Sequence, residues 1–181
     1  MNENINVLLG DITSLDVDII VNATNKSSLG GGGVDGAIHR KAGPKLLEEC
    51  RTLNGCETGE AKMTDAYNLP SKKIIHTVGP IYYLEEETAE EKLKACYKNC
   101  MSLAEEYRKS INKDSITIAF PCISTGVYAY PKEEACVVAV DTIKEINNEN
   151  IKVIFTCFDE FDYNLYNEYL FQKEKVKLNS K

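Results

Sequence analysis

The residues with most to offer chemically surround a run of glycine. Val21-Asn22-Ala23-Thr24-Asn25 is followed by Leu29 and then by Gly30-Gly31-Gly32-Gly33-Val34-Asp35-Gly36. Five of the eleven glycines of the chain fall within those seven positions. Four consecutive Gly are costly in backbone entropy and form no stable helix or strand. A folded chain keeps such a run where backbone must approach something closely or change shape. Asp35 then opens a helix, whose N-terminus favours anions and offers unpaired N–H donors. Two plainer readings compete. A flexible linker conflicts with ordered-looking flanks and with the lack of a continuing Ser/Gly tract. Asp35 as a helix N-cap stays open. Gly31, Gly33 and Gly36 formally satisfy G-x-G-x-x-G, but the preceding strand ends around Val21. The acidic residue expected roughly 20 positions on is missing; Glu48 and Glu49 come too soon, within a helix. That spacing excludes dinucleotide oxidoreductase chemistry.

Three further loops carry suggestive residues. In Gly10-Asp11-Ile12-Thr13, the Asp11 carboxylate could accept from an exocyclic amine of a purine while a neighbouring backbone N–H donates to the ring. The plainer reading is a cap on a short turn through Thr13-Ser14-Leu15-Asp16. In Pro121-Cys122-Ile123-Ser124-Thr125-Gly126-Val127-Tyr128-Ala129-Tyr130-Pro131, Ser124, Thr125 and Gly126 can present successive N–H groups as an anion nest. No Lys follows in the Walker position, so this is not a P-loop. An ordinary turn accounts for the two Tyr only if both pack. In Cys157-Phe158-Asp159-Glu160, Phe158 either covers an aromatic base or ribose or is a core residue.

These loops need a frame. β-branched and apolar runs bounded by turn residues predict strands over 6–9, 17–21, 61–67, 73–78, 115–120 and 152–157. Between them the pattern predicts a helix over 35–42 and another over 44–53, broken near Gly43-Pro44. Residues 89–109 read as a helix with Leu93, Cys96, Tyr97, Cys100, Ala104 and Tyr107 on one face. Residues 132–146 follow Pro131, with Ala135, Val138, Ala139, Thr142, Ile143 and Ile146 inward. A last helix over 159–171 turns Phe161, Leu165, Tyr169 and Leu170 inward. The globular domain is expected over 1–171, with a short polar tail over 172–181. Alternating strands and helices predict a three-layer α/β domain with a mostly parallel central sheet. Such sheets bind ligands beyond the carboxyl ends of their strands, where all four loops fall.

Composition narrows the ligand. The chain has 181 residues and is 43% hydrophobic, enough for one buried core. Lys plus Arg is 21 against 28 Asp plus Glu, a net charge of −7. Polyanionic nucleic acid and anionic membrane are therefore poor partners. A single diphosphate is not excluded, because backbone N–H groups and helix N-termini hold it without Lys or Arg. No run approaches the ~18 apolar residues of a membrane span, and no export signal follows Met1. The seven Cys are expected as reduced thiols of a cytoplasmic protein. The only His, at 39 and 76, form no ligand-like pair, and no CxxC occurs. No metal is expected.

Taken in order, GDIT, VNATN, LGGGGVDGAIHRKAG, CETGEAKMTDAYNLP, IIHTVGP, ISTGVYAYP and CFDE resemble the macrodomain family. The likeness is to its MacroD-type branch of ADP-ribose-binding hydrolases. It runs over residues 6–170 and is most specific over 22–43. The resemblance implies one α/β/α domain around a mixed six-stranded sheet, with an ADP-ribose cleft at the strand ends. It implies that Asp11 meets the adenine amine, with the Ile12 backbone beside it and Phe158 against the adenosine. Ser124, Thr125, Gly126, Val127 and Tyr128 would wrap the diphosphate, and Gly31, Gly32, Gly33 and Val34 would close from the other side. Asn22, Asn25 and Asp35 would surround the distal ribose. The chain departs from the family pattern after Val78-Gly79-Pro80. There Ile81-Tyr82-Tyr83-Leu84 and three Glu replace the usual Trp and Gly-containing loop. Thr24 stands where Ala is usual. The Cys/His set of the zinc-containing macrodomains is absent.

The activity implied is hydrolysis of mono-ADP-ribose esters on acidic side chains, deacetylation of O-acetyl-ADP-ribose, or both, with no cofactor. Asp35 and Asn25 are the expected catalytic pair. Asp35 would orient or activate a water, and Asn25 would fix the ribose hydroxyls. A carboxylate is a weak base at neutral pH, so a substrate phosphate would share the proton transfer. His39, one helical turn from Asp35, is read as support. Expected partners are ADP-ribose, O-acetyl-ADP-ribose and mono-ADP-ribosylated proteins, bound by a monomer. The alternatives are a non-catalytic ADP-ribose reader and an ADP-ribose 1″-phosphate phosphatase. Retention of both Asn25 and Asp35 favours an enzyme over a reader.

Overall fold

The computed structural model describes residues 4–179, the backbone alone beyond 172. Among the described residues there are six strands: β1 (Ile5–Leu9), β2 (Ile19–Ala23), β3 (Ala61–Asp65), β4 (Lys73–Thr77), β5 (Ile116–Phe120) and β6 (Ile151–Cys157). Six helices accompany them: α1 (Gly33–Ala42), α2 (Pro44–Thr52), α3 (Tyr82–Glu85), α4 (Ala89–Ser110), α5 (Lys132–Ile146) and α6 (Glu160–Asn179). A 3-10 turn spans Ile12–Ser14. The strands form one sheet in the order β1-β6-β5-β2-β4-β3. All pairings are parallel except that of β3 with β4. The expected mixed, mostly parallel sheet is therefore present.

Strand alternation builds the three layers, because successive side chains point to opposite faces. Ile19 and Val21 join the core beneath α4, α5 and α6, whereas Ile20 joins the one beneath α1 and α2. Ile75 and Ile74 divide in the same way. Fully burying a side chain of this size contributes about 1.5–3 kcal/mol. The larger core centres on Tyr97, Phe120, Phe155 and Tyr166, whose rings stand 5.0–6.4 Å apart. Phe120 and Phe155 are register partners on β5 and β6. The cluster thus clamps these strands just below the loops that leave them, and Cys122 and Cys157 come side by side there, Sγ to Sγ 4.0 Å.

Three local readings change. The pattern placed the second strand over 17–21, but β2 runs two residues further and takes in Asn22. Its start is fixed by Asp18, whose backbone carbonyl accepts from Lys72 and Lys73 and whose carboxylate accepts from the Thr117 N–H at 2.8 Å. On α6, Leu165, Tyr169 and Leu170 pack against the core as expected and the fully buried aromatic is Tyr166, 2% exposed, but Phe161 is 56% exposed and lies beneath the Lys132 ammonium. The helix also continues past the expected boundary near residue 171, to Asn179. Of the tail expected over 172–181, Ser180 and Lys181 lie outside the described residues. The break between α1 and α2 falls at Gly43, φ +89°, with Pro44 opening α2. Glycine adopts that φ freely and Pro suits a first helical turn.

Candidate functional site

The loop from β2 to α1 shapes the centre of the site. Helix α1 starts at Gly33 with Gly32 as N-cap, so Asp35 is its third residue and not its cap. The capping reading is thereby corrected. The Asp35 side chain turns inward and is 3% exposed. Its Oδ1 accepts from Asn22 Nδ2 at 2.9 Å and its Oδ2 from the Thr24 hydroxyl at 3.3 Å. His39 Nε2 lies 3.4 Å from Oδ1, close enough for an ion pair, but it has no aligned hydrogen-bond acceptor. Two donors and a nearby imidazole thus hold this carboxylate in one orientation.

The glycines bring the loop backbone down onto it. A Cβ on Gly31 would stand 3.1 Å from Asp35 Oδ2 and 3.6 Å from Asn25 Nδ2. Both candidate catalytic side chains therefore lie close beneath Gly31. A Cβ on Gly36 would stand 2.6 Å from the Gly31 carbonyl oxygen, so α1 needs a bare Cα there for the loop to approach it. Asn25 shapes the same loop. Its Oδ1 accepts from the Ser27 hydroxyl at 2.6 Å and from the N–H groups of Ser27 and Ser28, and its Nδ2 donates to the Gly30 carbonyl at 3.2 Å.

Asn25 also lines a cavity of about 410 Å³ with Lys26, Gly79, Ile81, Leu84 and Tyr128. Tyr128 and Tyr130 have separate jobs. Tyr130 is buried against Tyr82, ring centroids 4.9 Å apart, and packs the turn. Tyr128 faces the cavity, and burial pushes its phenol pKa up, with Asp35 adding to the rise. The turn is closed by Tyr130 N–H to Ser124 O, Ala129 N–H to Gly126 O and Tyr82 N–H to Tyr128 O. Ser124 is in the left-handed region at φ +67°. Among the described residues, nothing accepts from the N–H groups of Ser124, Gly126, Val127 and Tyr128. This is the condition an anion nest requires. The divergent 81–84 segment forms α3 and part of the cavity wall.

At the β1 and β6 ends the loop carrying Asp11 behaves as a cap. Asp11 Oδ1 accepts from the Thr13 N–H at 2.9 Å and the Thr13 hydroxyl at 2.6 Å, and Lys41 Nζ meets Oδ2 at 3.0 Å. These bonds, Thr13 foremost, hold the Asp11 carboxyl below the usual range. Its side chain remains 45% exposed, so the cap does not use up its accepting capacity. Ile12 beside it is buried. Phe158 is 85% exposed and Val127 90% exposed, so Phe158 is not a core residue.

Sequence reasoning missed His76 and Thr24. His76 on β4 is the register partner of Asn22 on β2, fully buried, and its Nδ1 lies 3.1 Å from Asn22 Nδ2. Burial lowers its pKa to about 3, so the ring is neutral. A His within the apolar run Ile74-Ile75-His76 was the available signal, but its partner is set by strand order. Among the described residues, no group of three or more His, Cys, Asp or Glu is arranged to hold a metal, and no helix is long and apolar enough to cross a membrane.

Comparison with known proteins places this geometry among relatives. The Macro domain family model matches residues 21–139. A Macro domain-containing protein of Chlorobaculum tepidum is 52% identical over 172 residues, covering 93% of this chain and 96% of that protein. The human ADP-ribose glycohydrolase MACROD2 is 50% identical over 171 residues, covering 92% of this chain but only 39% of its own length. A solved mutant of the Oceanobacillus iheyensis macrodomain with ADPR superposes with a TM-score of 0.87 at 42% identity, covering 96% of each chain.

Proposed function

This chain belongs to the Macro domain family, and from that premise we propose that it binds ADP-ribose and hydrolyses mono-ADP-ribose esters from acidic side chains of modified proteins. O-acetyl-ADP-ribose is a second substrate with the same bond to be broken. One observation carries the reading: a buried carboxylate, Asp35, and an amide, Asn25, both lie close beneath the Gly31 backbone, and Asn25 also lines the adjoining cavity. A glycohydrolase name among the relatives and a bound ADPR in a structural neighbour support it.

In this reading Asp11 accepts from the adenine amine beside the Ile12 N–H, and Phe158 lies against the adenosine. The N–H groups from Ser124 through Thr125, Gly126, Val127 and Tyr128 receive the diphosphate. Gly31, Gly32, Gly33 and Val34 close from the opposite side, where the first turn of α1 adds its free donors. Asn22, Asn25 and Asp35 surround the distal ribose. Asp35, fixed by Asn22 and Thr24, orients a water toward the ester, and a substrate phosphate shares the proton. Water adds its hydroxyl to the acyl carbon, the bond between the acyl carbon and the ribose oxygen breaks, and the ribose oxygen takes a proton. The products are free ADP-ribose and a carboxylic acid. Seven unpaired thiols fit a reducing compartment, and we read the protein as a cytoplasmic monomer of one domain.

The test is incubation with a protein mono-ADP-ribosylated on Glu or Asp, with release of free ADP-ribose followed over time. Calorimetric binding of ADP-ribose with no release would leave a reader in place of a hydrolase. Phe158→Ala is expected to weaken ADP-ribose binding about three- to ten-fold, the loss of one aromatic contact of ~0.5–1.5 kcal/mol. Its melting temperature should stay at the wild-type value, because the ring is almost wholly exposed. An unchanged dissociation constant would move the adenosine elsewhere.

A further inference from the structure

One atom ties the candidate catalytic carboxylate to a residue behind it. Asn22 Nδ2 is 2.9 Å from Asp35 Oδ1 and 3.1 Å from His76 Nδ1. The amide has two hydrogens, one for each contact. His76 Nδ1 must then be the bare, accepting nitrogen, which puts the ring proton on Nε2. That N–H faces the Thr64 hydroxyl at 2.8 Å, and the hydroxyl donates on to the Asp65 carbonyl at 3.0 Å. Every donor in the chain Asn22–His76–Thr64 therefore has an acceptor. The remaining atom, Asn22 Oδ1, is buried and has no protein partner. It faces the same side of the sheet as α1, because it alternates with Val21 along β2.

We infer that His76 is a positioning residue for the hydrolysis: it fixes the Asn22 amide so that Nδ2 holds Asp35 and Oδ1 stays free to accept from the substrate side. The inference rests on the hydrolase reading above. Its logic is steric and electrostatic. A proton on Nδ1 would demand an acceptor from Asn22, and the amide would turn over. Its oxygen would then oppose the Asp35 carboxylate at hydrogen-bond distance, with both atoms acceptors. The imidazole never touches ligand, since it is fully buried on β4. It acts through Asn22 alone. Burial lowers its pKa to about 3, so the ring is neutral at neutral pH.

Nitrogen-15 NMR of the intact protein reads the tautomer directly. The Nε2–H form at neutral pH is expected, and a dominant Nδ1–H form overturns the inference. Two variants add a kinetic reading, measured below their melting temperatures. His76→Leu removes the acceptor and is expected to lower kcat about ten-fold, the scale of a small misplacement of a catalytic group, while ADP-ribose affinity stays within about two-fold. His76→Asn returns a carbonyl oxygen near the site of Nδ1 and is expected to recover much of that loss. Wild-type kcat in the Leu variant, or equal losses in both variants, would reduce His76 to a packing residue. A wild-type protein that binds ADP-ribose but releases none overturns the hydrolase reading alone, and the imidazole tautomer then still decides whether Asn22 is held as described.

Discussion

Asp35→Ala abolishes most turnover and little binding. Release of ADP-ribose from a mono-ADP-ribosylated acidic side chain is expected to fall about a hundred-fold, the usual scale for loss of a positioned proton-handling group. Affinity for ADP-ribose should stay within about three-fold, because backbone donors of neutral loops supply the diphosphate contacts. The carboxylate has two fixed donors, Asn22 and Thr24, and removing it orphans the Thr24 hydroxyl and one of the two Asn22 amide hydrogens in a buried place. Stability should therefore drop by about 1–3 kcal/mol, the cost of orphaned buried donors. Both quantities must be read well below the lowered melting temperature. Asn25→Ala is expected to damage turnover and binding together, since Asn25 also holds the loop at Ser27, Ser28 and Gly30. Turnover that survives in the double variant would remove both residues from the mechanism.

Gly36→Ala should separate stability from function in the opposite sense. By helix propensity the change gains about 1 kcal/mol in α1. By geometry the new methyl would stand 2.6 Å from the Gly31 carbonyl oxygen and 3.0 Å from Arg40 Nη1. The arginine can swing away; the carbonyl is backbone and must shift. That shift lifts Gly31 from its place above Asp35 and Asn25, and both ADP-ribose affinity and turnover should fall about ten-fold or more. The melting temperature should change by only a few degrees, since gain and clash offset each other. Wild-type kinetics in a fully folded Gly36→Ala protein would mean that the loop does not need this approach. A loss of folding would place the main cost in the core beneath α1, not in the site.

The strands were legible because each is a short apolar or β-branched run bounded by turn residues, and α4 and α5 because their stripes recur at helical spacing. The glycine run by itself announced a close approach of backbone. What periodicity could not give was how these pieces face one another. The second strand was placed two residues early because Asn22 is a poor strand residue by propensity. It is a strand residue because His76 lies beside it in register. Phe161 read as inward because it stands one turn before Leu165, and Tyr166 was passed over; the two lie about 140° apart around α6, and the core takes the Tyr166 side. Phe158 followed a buried strand and read equally as core, and only its exposure separated the two.

By itself, then, the sequence determined the fold class, the order of the strands and of the five longer helices, and the four loops that follow strand ends. Each of those is written in local composition and spacing, which a short window contains. Tertiary structure alone decided which polar atoms meet. Asp35, thirteen residues from Asn22, and His76, fifty-four residues from it, share one amide. Gly79 and Ser124 touch so closely that a methyl on Gly79 would fall 2.0 Å from the serine oxygen. Such contacts depend on strand order and register, which are set by the burial of whole faces of the sheet and by no local signal in the chain.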